Sequence, residues 1–204
     1  LMDRHIRIWS FADVDRRGKV RWTANELGYE IEEIRLGLGD HSTDPYRQLN
    51  PYEQVPTAEL EGKVLIESSA ICLLLAERHP EAGLIPAPRE ERDLFWQSVH
   101  LSGSSLEIPV VNYYLSQAGI VDSAWAGLWQ EPLSKRLNVF ARSAPGSGYI
   151  CGEFSLADIF AAYVLRIGVQ ANLLPLQGQL KSYLDRLAAR PAAAAARFFD
   201  SLPV

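Results

Sequence analysis

The chain has 204 residues, of which 48% are hydrophobic and 22% charged, and its net charge is −5. This length predicts one or two domains with a core that needs no disulfide or metal, and the acidic balance argues against a nucleic-acid partner. Charges interrupt every apolar run before the roughly 18 residues of a membrane helix, and the opening residues lack a signal-peptide core. The two cysteines form no CxxC pair, which suits a reducing cytoplasm.

Strand-like and helix-like segments alternate up to Pro80. Polar and apolar residues alternate at 5–9 and 29–34, as in half-buried strands. Between them, Val20, Ala24 and Leu27 share one face of a predicted helix that stops at Gly28. The full predicted order is strand 5–9, helix 18–27, strand 29–34, one helical turn at 46–49, a hairpin of 57–60 and 63–66, and helix 68–78. This βαβαββα order predicts an α/β domain.

The remainder of the chain reads as helical. Pro80–Pro88 contains three prolines and a glycine, a composition typical of linkers. Apolar periodicity beyond it predicts helices at 90–115, 124–142, 155–170, 177–189 and 191–199, with Pro109 kinking or breaking the first. We therefore predict domains at 1–79 and 89–204, joined by a linker at 80–88, the second an all-α helical bundle.

The first motif is Asn50-Pro51-Tyr52-Glu53-Gln54-Val55-Pro56, just before a predicted strand. If the Val55–Pro56 bond is cis, the turn presents the main-chain N–H and C=O of Val55 outward, where a peptide-like ligand can pair with them as an added strand. The alternative is an ordinary trans X-Pro turn at a strand edge.

The second motif is Glu67-Ser68 at the start of the helix that follows the hairpin. Main-chain N–H groups and the positive end of the helix dipole favour a carboxylate there. The Ser68 hydroxyl adds a donor and Glu67 can hold an ammonium, so the pair suits the zwitterionic end of an amino acid or γ-glutamyl group. The alternative is that either residue only caps the helix.

The third motif is Ser155-Leu156-Ala157-Asp158, which opens an apolar helix. Serine followed three residues later by an acid is a capping-box arrangement. We expect Asp158 to be buried and important for folding, and not to be catalytic.

In this order and spacing the three motifs resemble the glutathione S-transferase superfamily, over about Ile6 to Phe199. The resemblance implies a thioredoxin-like domain, an all-α domain that contributes the electrophile pocket, a cytosolic homodimer, and glutathione as co-substrate. By family pattern, Val55 beside cis-Pro56 holds the cysteinyl part of glutathione through its main chain. Glu67 and Ser68 bind the γ-glutamyl end, and Gln54 lies near the glycyl side.

The catalytic position of the family does not carry over. In Ser- or Cys-dependent members the thiol-activating residue lies after the first strand, six residues before a valine of the first helix. Counting back from Val20 reaches Val14, which has no hydrogen-bond donor. The tyrosine of other members is also missing, because position 9 is Trp9.

Free thiols have a pKa near 8.5, so a donor or a positive charge must favour the thiolate. Ser10, at the end of the first strand, and Arg16, near the start of the first helix, are the two catalytic candidates. Asp13 and Asp15 oppose an anion there, and the alternative is that the charged residues form a solvated turn.

The resemblance thus predicts a transferase that adds the glutathione thiolate to a small apolar electrophile, with isomerisation, reductive removal or peroxide reduction as variants. A non-catalytic glutathione-binding or interaction protein is the alternative. A disulfide-exchange role is a third possibility, and the missing cysteine near residue 14 counts against it. Cys72 and Cys151 are expected to be buried. His41, in a polar loop, is either a contact for the glycyl carboxylate or simply exposed. No metal site, nucleic acid or membrane partner is predicted.

Overall fold

The computed structural model describes residues 4–11, 16–87, 89–122 and 124–202. The chain divides into two compact units. The first contains the residues up to Ala82 together with Pro191–Phe198, and the second contains Gly83–Arg190 and the residues from Phe199 onward. None of the helices in the described ranges has the length and apolar character needed to cross a membrane.

The first unit is built on a four-stranded mixed sheet. Its strands are β1 (His5–Ser10), β2 (Glu30–Arg35), β3 (Thr57–Leu60) and β4 (Lys63–Leu65), in the spatial order β2-β1-β3-β4. β1 is parallel to β2 and antiparallel to β3, and β3 is antiparallel to β4. The helices are α1 (Arg17–Glu26), α2 (Tyr46–Leu49) and α3 (Ser68–Arg78). This is the predicted βαβαββα order, and the thioredoxin-like fold class is confirmed.

One face of this sheet forms the core of the unit. Alternate residues of β1, among them Ile6 and Ile8, have no exposed surface, and neither do Val20 and Ala24 of α1. The hairpin between β3 and β4 turns at Glu61 and Gly62, whose φ angles are 53° and 73°. Two successive positive φ values are typical of the tight turns that match strand twist.

The second unit is helical. Its helices are α4 (Arg89–His100), α5 (Glu107–Gln117), α6 (Ala124–Arg142), α7 (Leu156–Gln170) and α8 (Gly178–Ala188). The predicted helix 90–115 is interrupted by a π-helical segment, Leu101–Leu106, in which the Glu107 N–H donates to the Ser102 carbonyl. Pro109 lies in the first turn of α5. Because proline lacks an N–H and clashes with the carbonyl four residues earlier, a wider turn just before it relieves both problems.

The start of α7 is fixed by a buried carboxylate. Asp158 accepts hydrogen bonds from the Ser155 N–H (3.0 Å), the Ile150 N–H (3.0 Å) and the Tyr183 hydroxyl (2.7 Å). Asp158, Ser155 and Tyr183 have no exposed surface. Burial raises the pKa of Asp158, and these hydrogen bonds oppose the rise. The expected capping arrangement and the expected burial of Asp158 are both observed.

The end of the chain packs differently from the prediction, which placed all of 89–204 in the helical domain. Helix α9 (Pro191–Ala195) and the residues up to Phe198 belong to the first unit. Phe198 packs against Trp22 of α1 with ring centroids 4.8 Å apart, and the Asn25 side chain donates to the Ala192 carbonyl at 3.3 Å. The alanines of this segment allow the backbone to approach α1 closely, because their side chains are small.

Candidate functional site

The register of the sheet collects the predicted site residues at one end of the first unit. Trp9 pairs with Thr57, and Ala58 pairs with Leu65. Continuing both antiparallel registers by one or two residues brings Ser10 opposite Pro56, and Pro56 opposite Glu67. Ser10 is also paired with Arg35 at the end of β2. Residues far apart in the sequence therefore meet at this end of the sheet.

The loop before β3 presents main-chain groups at this end. The Val55–Pro56 bond is cis, and Val55 is half-buried while Pro56 is buried. Within the described residues, neither the N–H nor the C=O of Val55 takes part in a hydrogen bond. The Gln54 side chain is exposed, but its carbonyl accepts hydrogen bonds from the side chains of Tyr46 and Asn50. The main chain of Val55 is thus held in place and available to a ligand.

The start of α3 presents a second set of groups. Glu67 is the residue before the helix, has φ 66° and ψ 106°, and makes no capping hydrogen bond with its side chain. A positive φ at a residue other than glycine is energetically unfavourable and is common at ligand sites. Ser68 is buried and Glu67 is exposed. The Glu67 side chain therefore does not cap α3, and the N–H groups of the first turn are not used by it.

The two catalytic candidates lie on either side of residues 12–15. Ser10 is fully buried, and no atom in the described ranges forms a hydrogen bond with its hydroxyl. Arg16 is half-buried and immediately precedes α1. Val14, Asp13 and Asp15 lie outside the described residues.

Sequence reasoning missed a buried cation in the first turn of α1. Lys19 has no exposed surface, and the hydroxyl of Thr23, one turn later, donates to its carbonyl at 2.9 Å. The signal was available, because Lys19, Thr23 and Leu27 follow one another at the four-residue spacing of a helix face. The predicted face of Val20, Ala24 and Leu27 did not include Lys19.

His41 lies in a 3-10 turn, Asp40–Ser42, of the loop that follows β2. Its ring stands perpendicular to that of Phe11, with centroids 4.9 Å apart. Phe11 directly follows Ser10, so His41 lies beside the residues at the end of β1. Its Nδ1 atom is buried and has no hydrogen-bond partner in the described part of the chain.

Both cysteines are buried. Burial raises the pKa of the Cys151 thiol to about 11, whereas a reactive cysteine needs a lowered pKa. Cys72 lies inside α3, on its buried side. A sulfur nucleophile at this site would therefore come from a ligand.

Comparison with known proteins identifies the family. A model of the glutathione S-transferase N-terminal domain matches residues 17–83. The chain is 30% identical over 191 residues to glutathione S-transferase 3 of Zea mays, an alignment that covers 85% of each protein. The chain belongs to the glutathione S-transferase superfamily. The predicted resemblance is confirmed, and the matched segment includes Val55, Glu67 and Ser68 at the sheet end described above but not Ser10.

Other members of the superfamily carry different names. The chain is 33% identical over 93 residues to maleylacetoacetate isomerase of Dictyostelium discoideum, covering 45% of this chain and 42% of that protein. It therefore spans less than half the length of this relative. A crystal structure of a glutathione transferase from Methylococcus capsulatus has 25% identity and a TM-score of 0.79, with 94% of this chain and 96% of that chain covered. This likeness extends over both units of the chain.

Proposed function

We propose that the chain binds glutathione at the end of the sheet and activates its thiol for attack on a small apolar electrophile. The observation that carries the proposal is the register that brings the unpaired main chain of Val55 and the start of α3 to one end. A γ-glutamyl tripeptide has a peptide main chain and a zwitterionic end, which are the two chemistries that these groups complement.

Each predicted residue then has a defined role. The cysteinyl part pairs with the N–H and C=O of Val55, beside Pro56. The γ-glutamyl carboxylate takes the first N–H groups of α3 and the Ser68 hydroxyl, while Glu67 takes the ammonium. Gln54, whose side chain is exposed, lies towards the glycyl side.

Calorimetric titration with glutathione tests this binding site. We expect Glu67→Ala and Ser68→Ala each to raise the dissociation constant about tenfold, since each removes a hydrogen bond that involves a charged group. The matched control is Glu77→Ala, because Glu77 is also an exposed acid of α3 but lies near its far end. Unchanged affinity in both site variants would exclude this assignment.

Activation of the thiol is tested by titrating bound glutathione through its thiolate absorbance. If the Arg16 guanidinium stabilises the anion, Arg16→Ala raises the pKa of the bound thiol by about one unit or more. If the Ser10 hydroxyl donates to the sulfur, Ser10→Ala has this effect instead. A transferase also accelerates conjugation with a panel of apolar electrophiles above the uncatalysed rate, as expected of a detoxification enzyme. Binding without acceleration would leave the non-catalytic glutathione-binding role.

The name of the Dictyostelium relative favours a second candidate activity, isomerisation of a maleyl compound. Reversible addition of the thiolate to a cis double bond, rotation, and elimination return glutathione unchanged, whereas conjugation consumes it. Measuring free thiol during turnover of a maleyl diacid separates the two reactions.

We also propose that the chain acts in the cytoplasm as a homodimer. Leu94, Leu101 and Ile108 of the second unit are 45%, 44% and 54% exposed. Contiguous exposed apolar side chains mark interaction surfaces of proteins, and we assign these three side chains to the surface that a partner subunit covers. Light scattering of the purified protein gives the mass, and a monomer at micromolar concentration would exclude this assembly.

A further inference from the structure

Three buried polar side chains surround the segment that carries Val55. Tyr46, Asn50 and Thr57 are 4%, 1% and 0% exposed. The Tyr46 hydroxyl lies 2.5 Å from the Gln54 carbonyl oxygen and 2.7 Å from Thr57 Oγ1. Asn50 Nδ2 lies 2.9 Å from each of the same two oxygens. The four contacts form a closed ring between the residue before Val55 and the residue after Pro56.

The donors and acceptors of this ring can be assigned in only one way. The Gln54 carbonyl can only accept, so it takes the single Tyr46 hydroxyl proton and one Asn50 amide proton. Thr57 Oγ1 accepts the second amide proton and therefore donates its own proton to Tyr46. The amide orientation is fixed independently, because Asn50 Oδ1 accepts the Tyr52 N–H at 3.0 Å. Each side-chain proton of Tyr46, Asn50 and Thr57 thus has an acceptor among the described residues, and no donor of the ring is left for a ligand.

We propose that Tyr46, Asn50 and Thr57 are positioning residues for glutathione, which set its affinity through the Val55 main chain without touching it. This inference rests on the proposed function. The ring holds Gln54 and Thr57 at fixed positions on either side of Val55–Pro56, so it determines where the Val55 N–H and C=O point. Two hydrogen bonds to a ligand main chain need both groups aligned at once, because these bonds weaken steeply when misaligned. Loss of one hydrogen bond of the ring therefore weakens both hydrogen bonds between Val55 and the ligand.

The informative substitution is Thr57→Val, which keeps the size and branching of the side chain but removes its hydroxyl. It leaves an Asn50 N–H without an acceptor and the Tyr46 hydroxyl without its donor, in a site closed to water. Thr57→Ser restores the hydroxyl and is the rescue variant. Tyr46→Phe removes the hydroxyl next to Thr57 in the ring, and it tests the same role if Thr57→Val does not fold.

The matched control is Tyr29→Phe. Tyr29 is also a buried phenol of the first unit, and its hydroxyl lies 3.0 Å from His79 Nε2. It directly precedes β2, at the opposite end of the sheet from Val55. This variant should lower the melting temperature as a lost buried hydrogen bond does, without changing the ligand site.

The experiment is titration of each variant with glutathione by calorimetry, well below its melting temperature. We expect Thr57→Val and Tyr46→Phe to raise the dissociation constant about tenfold, with Thr57→Ser and Tyr29→Phe within about twofold of the wild type. If Thr57→Val binds as tightly as the wild type, or if Tyr29→Phe weakens binding equally, the positioning role is wrong. If the wild type does not bind glutathione, the proposed function fails, and this inference with it.

Discussion

The substitution Asp158→Ala tests the expectation that this carboxylate holds the second unit together. It removes the acceptor for the Ser155 N–H and the Tyr183 hydroxyl, both in residues with no exposed surface. A buried donor left without an acceptor costs about 1–3 kcal/mol. Together with the lost bond to Ile150, we expect the free energy of unfolding to fall by about 3–5 kcal/mol. For a chain of this length, that lowers the melting temperature by about 6–20 °C.

Thermal and urea unfolding, followed by circular dichroism, measure this loss. The control is Tyr183→Phe, which removes one donor but leaves Asp158 bonded to Ile150 and Ser155. We expect the free energy of unfolding of the control to fall by about 1–2 kcal/mol, since Asp158 keeps its hydrogen bonds from Ile150 and Ser155. If Asp158→Ala destabilises the protein no more than Tyr183→Phe does, the carboxylate is not the centre of this network and the reasoning is refuted.

Three further outcomes follow from burial in both units. Since the pKa of Asp158 is raised above its ordinary 3.8 by burial, its proton is held more tightly in the folded chain. Protonation of Asp158 therefore stabilises the folded chain, and this stabilisation is complete below pH 3.8 and is lost as the pH rises through the raised pKa. Asp158→Asn should remove that part of the pH dependence of unfolding. With a pKa of about 11, only about 0.1% of Cys151 is thiolate at pH 8, and Cys72 is buried. A thiol reagent should therefore modify neither cysteine rapidly before denaturation and both afterwards; fast labelling of the native protein would contradict this. Phe198→Ala should cost about 3–5 kcal/mol of unfolding free energy, because the ring is fully buried against Trp22, and a loss below about 1 kcal/mol would show that the end of the chain does not support α1.

The sequence was most informative where a local signal decides the structure. Helix α3 begins and ends where the periodicity and Pro80 predict, at Ser68 and Arg78. Pro109 predicts an interruption but not its form, because a kink and a widened turn both relieve the same clash. The segment after Pro191 carries mainly alanines, which fit against almost any surface, so its sequence does not identify α1 as its partner. Where that segment packs depends on which surface the rest of the fold leaves uncovered.

The ring around Gln54 was not predictable for a related reason. Asn50 before a proline and Thr57 at the start of a strand are ordinary residues for a turn and a strand, so neither indicates a shared partner. Only the tertiary structure brings both to the Tyr46 hydroxyl and the Gln54 carbonyl. Hydrogen-bond partners of buried side chains depend on distances between elements, which residue spacing along the chain does not specify.

The same distinction separates binding from catalysis at this site. The groups proposed to bind glutathione are largely main-chain atoms of Val55 and the start of α3, and the strand register fixes where they lie. Such a site tolerates many side chains, so a motif of turn and helix-start residues suffices to locate it. Thiol activation instead depends on one donor or cation within about 3.2 Å of the sulfur. Titration of the bound thiol in the Ser10→Ala and Arg16→Ala variants identifies which of the two side chains meets that condition, because only loss of the stabilising group raises the pKa of the thiol.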